Sequence, residues 1–125
     1  MILAIIGTRR FSSPKAMRYA QLIITSEVLD LHWDSFVTGD ITGSNKDGID
    51  AAVKRICDAA GRECRIFTAA DRTWIGGFKP RNILIAEACD ELLCIRDPES
   101  STYGSGWTAK HAKSLGKPVT RIEIS

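Results

Sequence analysis

A doubly wound α/β fold, with a parallel five-stranded sheet in a single domain of residues 1–125, is predicted from three features of the sequence. The continuous apolar run at 2–6 suits a strand that is buried on both faces of a parallel sheet. Strand candidates alternate with helical apolar stripes in the order βαβαβαβαβ. A chain of 125 residues suits one domain. Right-handed crossovers then predict a Rossmann-like sheet with the strand order 3-2-1-4-5.

The first half of the chain predicts three strands and two helices. The strand at 2–6 ends at Gly7, and Ser12 or Ser13 caps the first helix, with Pro14 in its first turn. The stripe of this helix is Met17, Ala20, Ile24, Val28 and Leu31. After a strand at 35–39, the stripe of the second helix is Ile49, Ala52, Val53, Ile56 and Ala60. Gly61 can end that helix, and a third strand covers 63–69.

The second half predicts two more strands and two more helices. The third helix starts near Pro80 and runs to about Cys89, and the fourth strand covers 91–97. The fourth helix runs from about Thr108 to Leu115, with Gly116 to stop it. The alternating segment at 118–124 predicts a fifth strand at an edge of the sheet.

Composition excludes several classes of protein. A net charge of +2 without a clustered basic stretch argues against nucleic acid as a partner. No apolar run is long enough to span a bilayer, and the N-terminus is apolar first and basic afterwards, opposite to a signal peptide. We therefore expect a cytoplasmic protein with no membrane contact.

The four cysteines do not predict a metal site. They contain no C-x-x-C pair, and only His32 and His111 could join them, so we expect no bound metal. Cys57, Cys89 and Cys94 fall within apolar patterns typical of buried free thiols, although the sequence leaves a disulfide open.

Four loops should meet at the carboxyl edge of the sheet, where such folds bind ligands. These loops are 7–13, 39–47, 68–79 and 96–107, and all are rich in Gly, Ser, Thr and Arg. In "GTRRF" (7–11), Gly7 allows close backbone approach, Thr8 offers a hydroxyl, and Arg9 can pair with phosphate. The alternative is a turn followed by solvated arginines.

The second loop, "TGDITGSNKDGID" (38–50), enters a helix at Gly48. Asp50 falls in the first turn of that helix, where the helix dipole favours a carboxylate. The alternative is a flexible loop with a helix cap.

The third and fourth loops supply further candidates. In "TWIGGFKPRN" (73–82), Arg81 and Asn82 start a helix, and Trp74 can stack on a base. Taken alone, Trp74 suits the core and the Arg-Asn pair suits the surface. "SSTYGSGWT" (100–108) offers an anion cradle at a helix N-terminus, or else a turn rich in small residues.

The four motifs together resemble the SLOG superfamily, a group of Rossmann-like proteins that handle nucleotides. The superfamily includes the LONELY GUY phosphoribohydrolases and the DNA-processing protein DprA. The small stand-alone YspA-like group is the most similar, through "GTRRF", "GDITGSNKDGIDAA" (39–52), "AADRTW" (69–74), "RN" (81–82) and "SSTYGSGWTAKHA" (100–112).

Two departures from the family pattern bear on chemistry. The second motif is several residues longer than the usual version. The LONELY GUY loop "PGG-x-GT-x-x-E" supplies a glutamate for cleavage of the N-glycosidic bond, and here His111 follows Thr108 at that spacing. An imidazole does not replace a carboxylate beside a cation-like sugar. Asp40, Asp47, Asp50 and Asp71 could in principle substitute, and Asp50 is the best placed.

The resemblance and the motifs lead to two hypotheses. The first is a stand-alone SLOG domain that binds a nucleotide or an ADP-ribose-related signal without turnover and without a further cofactor. The second is a nucleoside 5′-monophosphate N-glycosidase, with Asp50 as the catalytic residue. A third hypothesis, single-stranded DNA binding as in DprA, conflicts with the charge.

The expected ligand-binding residues are Gly7, Thr8, Arg9, Gly39, Gly48, Asp50, Trp74, Arg81, Asn82, Ser101, Gly104, Ser105, Gly106 and Thr108. Trp107 is an alternative to Trp74 for stacking a base. The family resemblance also implies a homo-oligomer, a dimer or larger.

Overall fold

A computed structural model describes residues 1–41, 47–100 and 105–124, with only the backbone at Ser105. Its strands are β1 Ile2–Gly7, β2 Ser35–Thr38, β3 Cys64–Ile66, β4 Glu91–Arg96 and β5 Val119–Glu123. Its α-helices are α1 Pro14–Val28, α2 Ile49–Ala60, α3 Lys79–Ala88 and α4 Ser105–Ser114. A single π-helical turn, Trp74–Phe78, leads directly into α3.

The sheet is parallel throughout, and its strand order is β3-β2-β1-β4-β5, which confirms the predicted α/β fold and order. Leu3 of β1 pairs with Phe36 of β2, and Ile5 pairs with Leu93 of β4. The two central strands β1 and β4 are buried on both faces, as their apolar sequences require. β5 lies at an edge, as its alternation predicted.

Helices cover both faces of the sheet and define two halves of the core. α1 and α2 pack on one face, where Phe36, Ile24 and Ile49 are fully buried. α3 and α4 pack on the other face, around Ile85, Leu92 and Ala109. The strand order reverses beside β1, with β2 and β3 on one side and β4 and β5 on the other, so the loops after β1 and β4 lie at the switch point of the sheet.

Several predicted boundaries are wrong. α1 ends at Val28, and Leu31 lies beyond it, 86% exposed, so it does not belong to the buried stripe. Trp33 is buried instead and donates from Nε1 to the Glu27 carboxylate at 3.0 Å. The third strand is only three residues long, and α4 begins three residues before the predicted start.

Local signals at other element ends are confirmed. Ser13 caps α1, accepting from the backbone N–H of Ala16, and Pro14 is its first residue. Gly61 ends α2 in the left-handed conformation, at φ 68°, and Gly116 follows α4 at φ 80°. These positions favour glycine because a Cβ is strained at positive φ.

Cys57, Cys89 and Cys94 are buried thiols outside any disulfide, as expected, and Cys64 is a half-buried thiol, also outside any disulfide. Within the described ranges, no three His, Cys, Asp or Glu side chains come together as a metal site would require. In those same ranges, no helix is long and apolar enough to cross a membrane.

Candidate functional site

The ends of β1 and β2 and the N-termini of α2 and α3 meet at the carboxyl edge of the sheet. Gly39, which follows β2, lies between the side chains of Asp50 and Arg81. A Cβ built on Gly39 would stand 2.6 Å from Asp50 Oδ2 and 2.9 Å from Arg81 Nη1. Glycine at this position therefore makes room for both side chains, and residues from two separate motifs, 38–50 and 73–82, converge there.

A close backbone approach joins the first loop to the start of α2. The Ile49 N–H donates to the Thr8 carbonyl oxygen at 2.9 Å. A Cβ on Gly48 would stand 2.6 Å from the Arg9 carbonyl oxygen and 2.8 Å from that of Thr8. Gly48 therefore allows the chain carrying Arg9 to lie against the helix that carries Asp50.

Arg81 is buried, with 8% of its surface exposed, and Asn82 beside it is also buried. The surface interpretation of this pair is therefore wrong. The Arg81 Nε donates to Asn82 Oδ1 at 2.7 Å, which orients the guanidinium. Nη1 is buried and has no hydrogen-bond partner among the described residues. A buried, unsatisfied donor of this kind is costly, so it marks a group that a ligand can satisfy.

Asp50 lies in the first turn of α2, as predicted, but burial rather than the helix dipole governs its carboxyl group. Burial raises its pKa from 3.8 to about 6, against the opposing effects of Arg81, the Thr38 hydroxyl, the Gly7 N–H and Arg9. The residue as a whole is half-buried, but Oδ1 is enclosed and has no partner within the described residues.

The Thr38 hydroxyl lies between β1 and the Asp50 carboxyl group. Thr38 is buried and its hydroxyl donates to the Ile5 carbonyl oxygen at 2.7 Å. The same hydroxyl is within hydrogen-bonding reach of Asp50, where it opposes the rise in pKa that burial causes.

Asp50 and Arg81 face each other across Gly39 without forming an ion pair. The ion pairs found among the described residues lie elsewhere, at Met1, Lys54 and Arg96. The unpartnered atoms are an acceptor on Asp50 and a donor on Arg81. A hydroxyl group can donate to the first and accept from the second, so a ligand hydroxyl, such as one of ribose, matches the pair.

Two guanidinium groups lie over one aromatic ring at this edge. The Arg9 Cζ is 5.1 Å from the centroid of the Phe78 ring, and the Arg81 Cζ is 5.7 Å from it. Each contact is a cation–π interaction, and the ring holds both cations near each other despite their repulsion. Burial, followed by the effect of Arg9, lowers the pKa of Arg81, whereas Asp50 and Asp40 raise it. Such a cation pair suits an anionic ligand group.

Hydrogen bonds between the first loop and Asp97, which we call the clasp, hold that loop in place, and no pattern in the sequence predicted them. Asp97, buried at the end of β4, accepts from both the backbone N–H and the hydroxyl of Ser12 at 2.6 Å. Its own N–H donates to Thr8 Oγ1 at 2.8 Å. Thr8 is itself buried, so its side chain serves this clasp, and its expected contact with phosphate stays a prediction. Hydrogen-bonding residues 85 positions apart leave no local signal in a sequence.

An aromatic cluster lies on the α3–α4 face. Trp107 stacks on His111, with centroids 5.1 Å apart and planes within 8°, and Trp74 meets Trp107 edge to face at 5.2 Å. Trp74 is 38% exposed, so the core interpretation is wrong for this residue. Trp74 opens the π-helical turn that ends at Phe78, which links the cluster to the two arginines.

The predicted second anion cradle is only partly described. Ser101 and Gly104 lie outside the described residues, as do positions 42–46 of the second loop. Gly106 and Thr108 belong to α4 rather than to a loop, because the helix already begins at Ser105. Thr108 is buried.

Of the other candidate carboxylates, Asp71 is exposed and holds a turn. It accepts from the N–H and the hydroxyl of Thr73, and these bonds lower its pKa. Asp47 is exposed and Asp40 is half-buried. Both Asp50 and Asp40 act on Arg81, and Asp50 is the one whose carboxylate has a buried oxygen without a partner in the described chain.

Comparison with models of known protein families gives no match, and comparison with curated proteins gives none either. The SLOG resemblance thus depends on the short motifs quoted above and stays a prediction.

Proposed function

We propose that this protein is a stand-alone SLOG domain that binds a nucleotide-like small molecule at the carboxyl edge of β1, β2 and β4. The observation that carries the proposal is that two side chains standing against Gly39 each have a buried, unpartnered atom, Asp50 Oδ1 and Arg81 Nη1. A buried polar atom without a partner costs about 1–3 kcal/mol, so two together are best explained by a ligand that satisfies them.

The chemistry of the pair and of its neighbours points to the parts of a nucleotide. Asp50 and Arg81 bind a ribose hydroxyl, Arg9 binds phosphate together with the second guanidinium, and Trp74 stacks the base. Arg9 is half-buried over Phe78, beside the enclosed atoms, so it is the side chain that moves to admit the ligand. A nucleotide or an ADP-ribose-related signal carries all three groups.

The test is thermal unfolding with AMP, ATP, NAD, ADP-ribose, cyclic ADP-ribose isomers and cyclic dinucleotides, followed by mass spectrometry of each mixture. A ligand at a hundred times its Kd adds about 2.7 kcal/mol to the free energy of unfolding, a shift that is readily measured. Arg81→Lys should abolish the shift, because lysine keeps the charge but not the Nε bond to Asn82. Arg72→Lys, at an exposed position nearby, is the matched control. If no compound shifts unfolding, the nucleotide proposal fails.

A second candidate function is hydrolysis of a nucleoside 5′-monophosphate at its N-glycosidic bond. The observation that favours it is the Asp50 pKa of about 6, which leaves a carboxyl group able to give or take a proton near neutral pH. Free base in the mass spectrum, lost in Asp50→Asn while binding persists, would establish the enzyme. Ligand recovered intact from the wild type would establish the binder.

Two further properties belong to this proposal. The free thiols suit the reducing cytoplasm, where we place the protein. The family resemblance implies self-association, which sedimentation velocity at several protein concentrations would detect.

A further inference from the structure

The outer face of α1 carries large apolar side chains that nothing in the described chain covers. Leu22 is 72% exposed, Leu29 is 63% exposed and Tyr19 is 52% exposed. Tyr19 and Leu22, together with Ile23, Ser26 and Glu27, line a shallow groove of about 360 Å³ along the helix. Their spacing of three and four residues puts them on one stripe, opposite the buried stripe of Ala16, Ala20, Ile24 and Val28.

The charges along α1 run against its own dipole. Within 14–30 the basic residues are Lys15 and Arg18, near the N-terminus, and the acidic residues are Glu27 and Asp30, at the C-terminal end. No acidic residue lies in the first turn and no basic residue in the last. A helix by itself is stabilised by the opposite arrangement. Within the chain, Glu27 accepts from Trp33 Nε1 at 3.0 Å and Asp30 accepts from the His32 N–H at 2.9 Å, and Asp30 stays exposed to the charge of a partner.

An antiparallel second copy matches this pattern. It would place the basic end of one helix beside the acidic end of the other and the apolar stripes face to face. Parallel helices would instead place Lys15 beside Lys15 of the other copy and Asp30 beside its Asp30.

We propose that this protein forms a symmetric dimer through antiparallel packing of α1 against α1 of a second copy. The dyad lies between Leu22 and Ile23, so contacts pair residues whose numbers sum to about 45. Lys15 then meets Asp30 of the other copy, and Tyr19 meets Ser26. Such an isologous contact repeats each pair twice and closes the assembly at two copies. This inference deepens the proposed self-association by naming its surface.

A membrane surface is the alternative occupant of an exposed amphipathic helix. Such helices carry an excess of basic residues on the polar face. Here the stripe is flanked by both signs of charge in separate blocks, which complements a copy of itself better than it does an anionic lipid surface.

Sedimentation velocity over roughly two decades of protein concentration measures the dimer directly. We expect a concentration-dependent dimer in the wild type. Leu22→Asp should raise the dissociation constant at least ~100-fold, because it buries a charge at the dyad. Leu84→Asp is the matched control, since Leu84 is a similarly exposed leucine on α3, and it should leave the dimer unchanged.

A charge experiment tests the direction of packing. Lys15→Glu and Asp30→Lys should each weaken self-association several-fold, because both symmetric contacts become repulsive. An equimolar mixture of the two variants should associate about as well as the wild type, because opposite charges then meet at both contacts. In a parallel dimer each single variant would still set like charges against each other, as the wild type does. Neither variant alone would then weaken self-association, and the mixture would associate more tightly than the wild type.

Each possible outcome of these experiments either supports or overturns the dimer. A monomer at every concentration, a dimer that survives Leu22→Asp, or a mixture that fails to recover would each overturn the proposal. A monomer that cosediments with vesicles of phosphatidylserine would assign the face to a membrane instead. None of these results alters the ligand panel, so failure of the dimer and failure of the binding proposal are distinguishable.

Discussion

Asp50→Asn should remove a pH dependence of stability that burial of this carboxyl group creates. In the folded protein its pKa is about 6, against 3.8 when unfolded. Between pH 3.8 and about pH 6 the folded state therefore keeps a proton that the unfolded state has lost. The free energy of unfolding falls as the pH rises through this window. The full difference between the folded and unfolded pKa values corresponds to about 3 kcal/mol, at about 1.4 kcal/mol for each pKa unit. Above about pH 7 the loss is complete.

Urea unfolding at pH 5 and at pH 8 measures the effect. At pH 5 the protein has already lost part of the free energy of unfolding that the protonated carboxyl group supplies. Between pH 5 and pH 8 the wild type should therefore lose about a further 1.4 kcal/mol. Partial exposure of Asp50 makes this an upper value. The free energy of unfolding of Asp50→Asn should lack this decline.

Asp58→Asn is the matched control, because Asp58 is an exposed aspartate on the same helix. Its pH slope should follow that of the wild type. If Asp50→Asn keeps the wild-type slope, then the carboxyl group is already ionised at pH 5, and the reasoning from burial is wrong.

Three further substitutions probe the site and its surroundings. Gly39→Ala places a Cβ 2.6 Å from Asp50 Oδ2. We therefore expect the free energy of unfolding, measured with urea, to fall by about 1–3 kcal/mol and ligand binding to be lost. Unchanged binding would contradict the placement of the ligand beside Gly39. Asp97→Asn weakens the clasp to Ser12, and calorimetry should show about 1–3 kcal/mol less stability at pH 7. Burial alone raises the Asp97 pKa, but the bonds from Ser12 and from the Glu99 N–H together outweigh it and lower the pKa overall. This deficit should therefore shrink as the pH falls from about 3.8 to the lowered pKa; a deficit that stays constant in acid would contradict this account. Gly106→Ala meets nothing within 4 Å inside α4, so it should raise the free energy of unfolding by up to about 1 kcal/mol, and a lower Tm would contradict the helix start at Ser105.

The sequence by itself determined the order of the elements and of the strands. The apolar run of β1, the helical stripes and the glycines after α2 and α4 are local signals, because each depends on neighbours within a few residues. The right-handed crossover rule and the doubly wound pattern then favoured the order that the sheet has, and the carboxyl-edge loops carried Arg81 and Asp50 to the same edge.

Only the tertiary structure decided how those residues meet. Asp50 and Arg81 are 31 positions apart, and nothing local says that they stand across Gly39 with one buried atom each left without a partner. The clasp from Asp97 to Ser12 and the shared ring of Phe78 also depend on distant segments. The exposure of an apolar side chain also depends on the tertiary structure. Ile24 and Leu22 are both apolar residues at helical spacing, yet one is fully buried and the other faces outward, because burial depends on which side of a helix the rest of the fold covers.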